Sequence, residues 1–288
     1  MVTNDSTPSE TKLEQKLEAF AEYLCAPRGL ADCTILGYVS ATRRLSATIG
    51  LNPDHHALDL LIVKMRMAGA SYSHVGNTSL ALERHTEFIG NPIRLGRPKK
   101  PKRLIRGTPT EAEITLMIAA CRTIPEKTLV SLLAYSGLRN KELCGLKIGD
   151  VDIGSQLIKV RGGKGQEDRD ASIAAPCAGL VVEYLHRDRP GAAPAEPLFV
   201  TLQNGNPYWP QDLRKLVHVV AKRAHITKRV HPHLFGHSLA TNMPIRGAHI
   251  LAIKEQLGHA FVETTMVYLH AAPVAMQAQC GFFAPSYF

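Results

Sequence analysis

A chain of 288 residues has room for one large domain or two ordinary ones, and an apolar content of 45% suffices for real cores, which argues against wholesale disorder. No stretch approaches the ~18 uninterrupted apolar residues of a membrane span. The polar start MVTNDSTPSETKLEQ has neither signal- nor transit-peptide composition, so an intracellular soluble protein is expected, and a formal net charge of +9 favours nucleic acid over an anionic membrane as partner.

In chain order, residues 1–11 read as a disordered lead. From Lys12 onward, Leu13, Leu17, Phe20 and Leu24 repeat at helical spacing until the Pro27-Arg28-Gly29 step breaks the pattern. Helices are predicted over Thr34–Ile49, with Tyr38, Leu45 and Ile49 on one side, and over Leu58–Met67 and Val75–Ile89. Residues 12–90 therefore form a helical N-terminal domain. A linker, 91–109, follows, in which Arg94, Arg97, Lys99, Lys100, Lys102, Arg103 and Arg106 run without an intervening acid, punctuated by Pro92, Pro98 and Pro101. Proline excludes regular structure there, and the charges suit a phosphate backbone.

The segment Thr110-Glu111-Ala112-Glu113 has the form of a capped helix start, with a helix to about Cys121 and another from Glu126 through LVSLLAY. Residues Gln156–Val160 and Arg169–Ile173 flank the glycine-rich RGGKGQED as a β-hairpin with a flexible tip. Helices then dominate to about Tyr268, with Pro244 placed to kink one of them. The fold class is mainly α with a small antiparallel sheet (α+β). The six cysteines form neither a CxxC pair nor a metal-ligand spacing, so free thiols are expected.

Cleaving a phosphodiester by nucleophilic attack needs a nucleophile, positive charge around the transition state and a proton for the leaving oxygen. Arg139 in SGLRNKELCGL offers a fork matched to two phosphate oxygens, with Glu142 at i,i+3 to orient it. Lys164, at the hairpin tip, can reach a leaving oxygen. His233 and His237 lie four apart in HPHLFGHSLATNM, without an HExxH motif or a cysteine to make a metal site of them. His259 follows Gln256-Leu257-Gly258 at a helix end, and Tyr268 follows nine residues later in TTMVYLH, after Thr264 and Thr265 open the next helix. Singly, each also reads as a surface ion pair, a turn lysine or a core aromatic.

Together and in order, SGLRNKEL, GGKG, HPHxxxHSLAT and LGHAFVETTMVY resemble the signature of the tyrosine recombinase (phage integrase) family over 110–270, and the helical domain and basic linker before them also look like the family. The resemblance implies a two-domain clamp on duplex DNA, with a core-binding (SAM-like) N-terminal domain and a catalytic domain at 110–270. It implies a homo-tetramer on paired inverted-repeat sites, and cutting and rejoining through a 3′-phosphotyrosyl link and a Holliday junction, with no cofactor, ATP or required metal. By position, Tyr268 resembles the nucleophile, Arg139 the first phosphate-clamping arginine, Lys164 the general acid, and His233 and His259 the histidines that assist proton traffic and hold the phosphate. Glu142 resembles the carboxylate supporting Arg139, while His237 and Ser238 match frequent, less mechanistic positions. A cytoplasmic, nucleoid-associated location is implied. The tail 271–288, with Phe282, Phe283 and Phe288, is a candidate anchor on a neighbouring protomer or on its own surface.

One position departs. The family pattern His-x-x-Arg ends here in glycine, His233-Leu234-Phe235-Gly236. Three explanations stand: an inactivating change in an active recombinase, a relative that binds sites without cutting, or a second cation, Arg246 or one from a partner subunit, filling the gap. The expected function is a site-specific recombinase or integrase with its cleavage step in question. The alternatives are a non-catalytic site-binding protein that regulates recombination and a type IB topoisomerase-like enzyme.

Overall fold

Apolar residues at helical spacing in the first hundred positions become α1 (Pro8–Cys25), α2 (Asp32–Ile49), α3 (His55–Met67) and α4 (Tyr72–Phe88). This is a computed structural model; it describes residues 8–26, 28–96, 107–162, 168–201 and 204–269, and the chain divides into two units, Met1–Leu104 and Ile105–Phe288. Residues 8–11, expected in a disordered lead, belong to α1, which starts at Pro8, where proline's missing N–H is one that a helix start leaves unpaired anyway; residues 1–7 lie outside the described residues. Both α3 and α4 begin three residues ahead of the apolar pattern. Asp54 accepts from Ala57 N at 2.7 Å and Ser71 from His74 N at 3.2 Å, caps that recruit a polar first turn. In this unit Phe20, Leu24 and Ile35 form one buried cluster, and Leu58, Leu61, Leu82, Ile93 and Leu95 another.

The second unit opens on the expected capping box: Thr110 N donates to Glu113 Oε2 at 2.7 Å, and Glu113 N donates back to Thr110 Oγ1 at 3.2 Å. This starts α5 (Glu111–Ala119), followed by α6 (Ile124–Ser136) and α7 (Asn140–Gly145). A 3₁₀ turn, Ile148–Asp150, leads into a three-stranded antiparallel sheet in the order β1 (Val151–Asp152), β2 (Leu157–Val160), β3 (Arg169–Ser172), with Ile158 opposite Ala171 and Val160 opposite Arg169. The predicted hairpin is β2–β3. The short β1 had no alternating pattern to announce it. Helices α8 (Ala175–Asp188), α9 (Pro210–Arg223), α10 (Pro232–Ile245), α11 (Ile250–Leu257) and α12 (Val262–Leu269) complete the described chain. Pro244 falls in the last turn of α10, so its lost N–H removes one bond at a helix end.

The core of this unit is built from α6 residues Leu129, Val130, Leu132 and Leu133 with Met117, Leu143, Ile158, Val181, Tyr184, Phe199, Leu213, Val217 and Phe235, all essentially inaccessible. A second cluster of Ala240, Ile253, Leu257 and Tyr268 joins α10, α11 and α12. Among the described residues, no helix is long and apolar enough to cross a membrane. The described cysteines, Cys25, Cys33, Cys121, Cys144 and Cys177, are free.

Candidate active site

Helix α6 ends at Gly137, whose φ of +67° is left-handed backbone and whose added Cβ would lie 2.7 Å from Leu257 Cδ2. The left-handed backbone favours glycine at this tight turn, and the turn delivers Arg139 to the start of α7. Arg139 N donates to Glu142 Oε2 at 2.8 Å and Nη1 donates to Oε1 at 2.6 Å, the i,i+3 pairing expected from the sequence. Its Nη2 donates to Gly258 O at 2.6 Å, which ties the guanidinium to the end of α11. The side chain stays partly exposed (27%), so a face of the fork remains open to an anion.

Sequence reasoning missed Arg169. Its Nη1 and Nη2 donate to Glu142 Oε1 at 3.0 Å and Oε2 at 2.8 Å, so one buried carboxylate holds two guanidinium groups. The signal was available in strand alternation: Ala171 and Ile173 face inward, and Arg169 shares their phase, where a cation needs a carboxylate. Burial pushes the Glu142 carboxyl up, but the hydrogen bonds from Arg169 and Arg139 outweigh it and hold the group below the usual carboxylate range.

Because the folded value lies below the unfolded ~4.3, this carboxylate contributes stability that is present above ~pH 4.3 and is lost as pH falls through the folded value. At neutral pH, Glu142→Ala strands two half-buried cations and is expected to cost ~3–5 kcal/mol in denaturant unfolding. Glu142→Gln should show a smaller loss of melting temperature between pH 5 and ~pH 2 than the unmodified chain. Parallel melts with equal acid sensitivity would count against this account.

Gly258 is the second such glycine. It closes α11 in the left-handed region (φ +62°), and an added Cβ would lie 2.7 Å from both Cζ and Nε of Arg169. Gly258→Ala therefore combines ~1–2 kcal/mol of backbone strain with displacement of Arg169. The expected result is a melting temperature lower by several degrees, ~2–4 °C per kcal/mol. An unchanged melt would show that the Arg139–Glu142–Arg169 junction tolerates displacement.

Directly after Gly258, His259 pairs through Nδ1 with Thr265 Oγ1 at 2.9 Å, and its ring lies nearly parallel to that of Tyr268, 6.5 Å between centroids and 14° between planes. Thr265 is buried inside α12 rather than opening it, since that helix starts at Val262. Tyr268 is buried, and its phenol hydrogen-bonds His237 Nδ1. Burial raises the phenol's pKa. Burial also lowers that of His237, helped by His233 and His231, and that of His259, helped by Arg139, His237 and Arg169.

His233 lies one turn before His237 on α10, exposed, with its ring 6.2 Å from that of His231. Arg214 and Arg229 sit close enough to lower the pKa of His231, after burial and His233, and add an exposed basic fringe that the sequence reading did not single out. The Cα of Gly236 has room on it: an added Cβ would meet Gly137 O at 3.8 Å and Leu257 Cδ2 at 3.9 Å, ordinary contacts. That position faces the turn carrying Arg139. Arg246 is ten residues further along α10, ~15 Å of helix rise, and pairs with Glu111 at 3.0 Å. Ser238 Oγ donates to Pro109 O at 2.8 Å, a structural tie.

Lys164, the linker cations Arg97, Lys99, Lys100, Lys102, Arg103 and Arg106, and the tail 271–288 lie outside the described residues. Arg94 is exposed, 3.9 Å from Glu83. Among the described residues, His, Cys, Asp and Glu nowhere gather in a group of three that could hold a metal ion.

The phage integrase family model matches residues 109–274, more than half of the chain. The chain belongs to the phage integrase family. It is 32% identical over 264 residues to the tyrosine recombinase XerA of Pyrococcus furiosus, with 90% of each chain covered. It is similar to the crystal structure of XerA recombinase at 29% identity and a TM-score of 0.56, covering 96% of this chain and 100% of that one. A Tn1549 transposon integrase bound to transposon right-end DNA shares the fold at a TM-score of 0.71 and 21% identity, covering 94% and 99%. By family, this phage integrase member is a tyrosine site-specific recombinase.

Proposed function

We propose that this family member binds duplex DNA at an inverted-repeat site as a homo-tetramer, and that it carries the machinery for cutting and rejoining through a 3′-phosphotyrosyl link and a Holliday junction, with the cleavage step slowed by Gly236. Solved relatives bound to DNA, the Tn1549 integrase and XerH on its difH substrate, support the partner. A +9 net charge supports it as well.

The observation that carries the reading is one connected cluster. Arg139 holds Gly258, His259 follows it and stacks on Tyr268, and Tyr268 binds His237, next in chain to Gly236. In the proposed chemistry the Tyr268 oxygen attacks phosphorus, the P–O5′ bond breaks, and Lys164 protonates the departing 5′-oxygen. Arg139 with its Glu142 support, His233 and His259 hold the phosphate oxygens. The ester energy is kept in the phosphotyrosyl bond, so strand joining needs no nucleotide. The linker run from Arg94 to Arg106 tracks the DNA backbone, with Arg214 and Arg229 on the other unit.

A second reading is favoured by Gly236 itself: a chain that occupies sites without cutting. The two are separated on a duplex selected by binding from a randomised pool and nicked just downstream of the scissile phosphate. The short fragment diffuses away after cleavage, so a covalent adduct accumulates and is read on a denaturing gel. A Tyr268-dependent adduct in the unmodified chain, slower than in Gly236→Arg, supports the first reading, and an adduct in Gly236→Arg alone supports the second. Site binding with no adduct in either supports the second.

A further inference from the structure

We infer that His237 is the catalytic base of this site, the group that takes the phenolic proton of Tyr268 through Nδ1. The inference rests on Tyr268 being the nucleophile. Three motif histidines, His233, His237 and His259, are the candidates, and the structure separates their positions. The Nδ1 of His259 is committed to Thr265, and its ring lies nearly parallel to that of Tyr268 with 6.5 Å between centroids. His233 is exposed and lies against His231. His237 makes the hydrogen bond to the phenol itself. With the ring proton on Nε2, Nδ1 accepts from the phenolic O–H.

The surroundings suit that role. Tyr268 is 6% exposed, so bulk water has little access to its proton, and burial makes the phenol a weaker acid than usual. Burial, with His233 and His231, keeps the His237 imidazole neutral and able to accept near neutral pH. The titratable groups facing His237 are Tyr268 from α12, His233 and His231 from its own helix and cap, and His259 from the end of α11. Among the described residues none of these carries a carboxylate that would trap the imidazolium formed. The step balances: the O–H bond breaks with its proton going to Nδ1, the phenolic oxygen bonds phosphorus, and P–O5′ breaks with its electron pair leaving on the 5′-oxygen. On rejoining, the 5′-hydroxyl gives its proton back to the Lys164 amine as its oxygen attacks phosphorus, P–O(Tyr268) breaks, and Nδ1–H returns the proton to the phenolic oxygen.

The test uses the nicked site with either oxygen or sulfur at the 5′-bridging position, because a thiolate leaves without needing a proton. In the Gly236→Arg background, His237→Gln is expected to slow adduct formation ~10²-fold or more with both leaving atoms. Lys164→Ala should be slow with oxygen and restored by sulfur. Gel shifts confirm that each variant still binds the site. If His237→Gln reacts within about threefold of its parent, or sulfur restores it, the assignment is overturned. If no variant with Tyr268 intact forms an adduct, the cleavage reading fails, and a second measurement decides the His237 contact by itself. The ¹³Cζ resonance of Tyr268 in the DNA-bound full chain is expected to carry a titration step that disappears in His237→Gln and persists in His259→Gln. A step that is missing from the unmodified chain, or that survives His237→Gln, overturns the inference.

Discussion

Gly236→Arg is expected to accelerate covalent adduct formation by ~10³–10⁵-fold, the range that arginine stabilisation is worth in phosphoryl transfer. The backbone makes the substitution possible. Gly236 sits within α10 in right-handed conformation, and an added Cβ would make only ordinary contacts at 3.8 and 3.9 Å. Replacing a helical glycine also adds ~0.5–1 kcal/mol of helix propensity, so the gain need not be traded against folding. The Cβ vector runs toward Gly137 O, two residues before Arg139, and this brings a second guanidinium to the phosphate position proposed for Arg139. Binding should change far less than rate, by about one unit in the slope of log affinity against log salt. Single-turnover rates within tenfold of each other would mean that another cation already completes the site. Arg246 is badly placed to be that cation, held by Glu111 at the far end of α10.

Tyr268→Phe is expected to remove the adduct entirely, in the unmodified chain and in Gly236→Arg alike, while leaving site binding within a few-fold. The ring keeps its packing against Ala240, Ile253 and Leu257, and only the phenolic oxygen is lost. That oxygen is bonded to His237, and its removal should lower stability by ~1 kcal/mol, the net worth of an ordinary hydrogen bond. Denaturing gels and thermal melts on the same preparations check both halves. Residual adduct in Tyr268→Phe would move the nucleophile elsewhere, and Tyr287 in the tail would be the next phenol to replace.

The sequence carried a good deal of this because much of the site obeys local rules. The pairing of Arg139 with Glu142 follows from helical i,i+3 spacing, the cap at Thr110–Glu113 from adjacent residue types, and the hairpin from two short strands flanking a glycine-rich segment. The departure at Gly236 is a matter of one residue against a four-residue pattern. Helix starts were less legible, since Asp54 and Ser71 recruit polar turns that periodicity does not mark.

Sequence by itself determined the family of this chain, and it supplied the candidate site residues and the expected departure at Gly236, because these are written in motifs a few residues long. Tertiary structure decided which of those groups touch. The junction of Glu142 with Arg169 spans 27 residues, His237 meets Tyr268 across 31, and Arg139 reaches Gly258 across 119. Each contact depends on how α7, β3, α10, α11 and α12 pack together, where burial, neighbouring charge and hydrogen bonds shift the pKa values of Glu142, His237, His259 and Tyr268. No local spacing encodes that packing, so a histidine that looked incidental in the chain stands against Tyr268 in the fold.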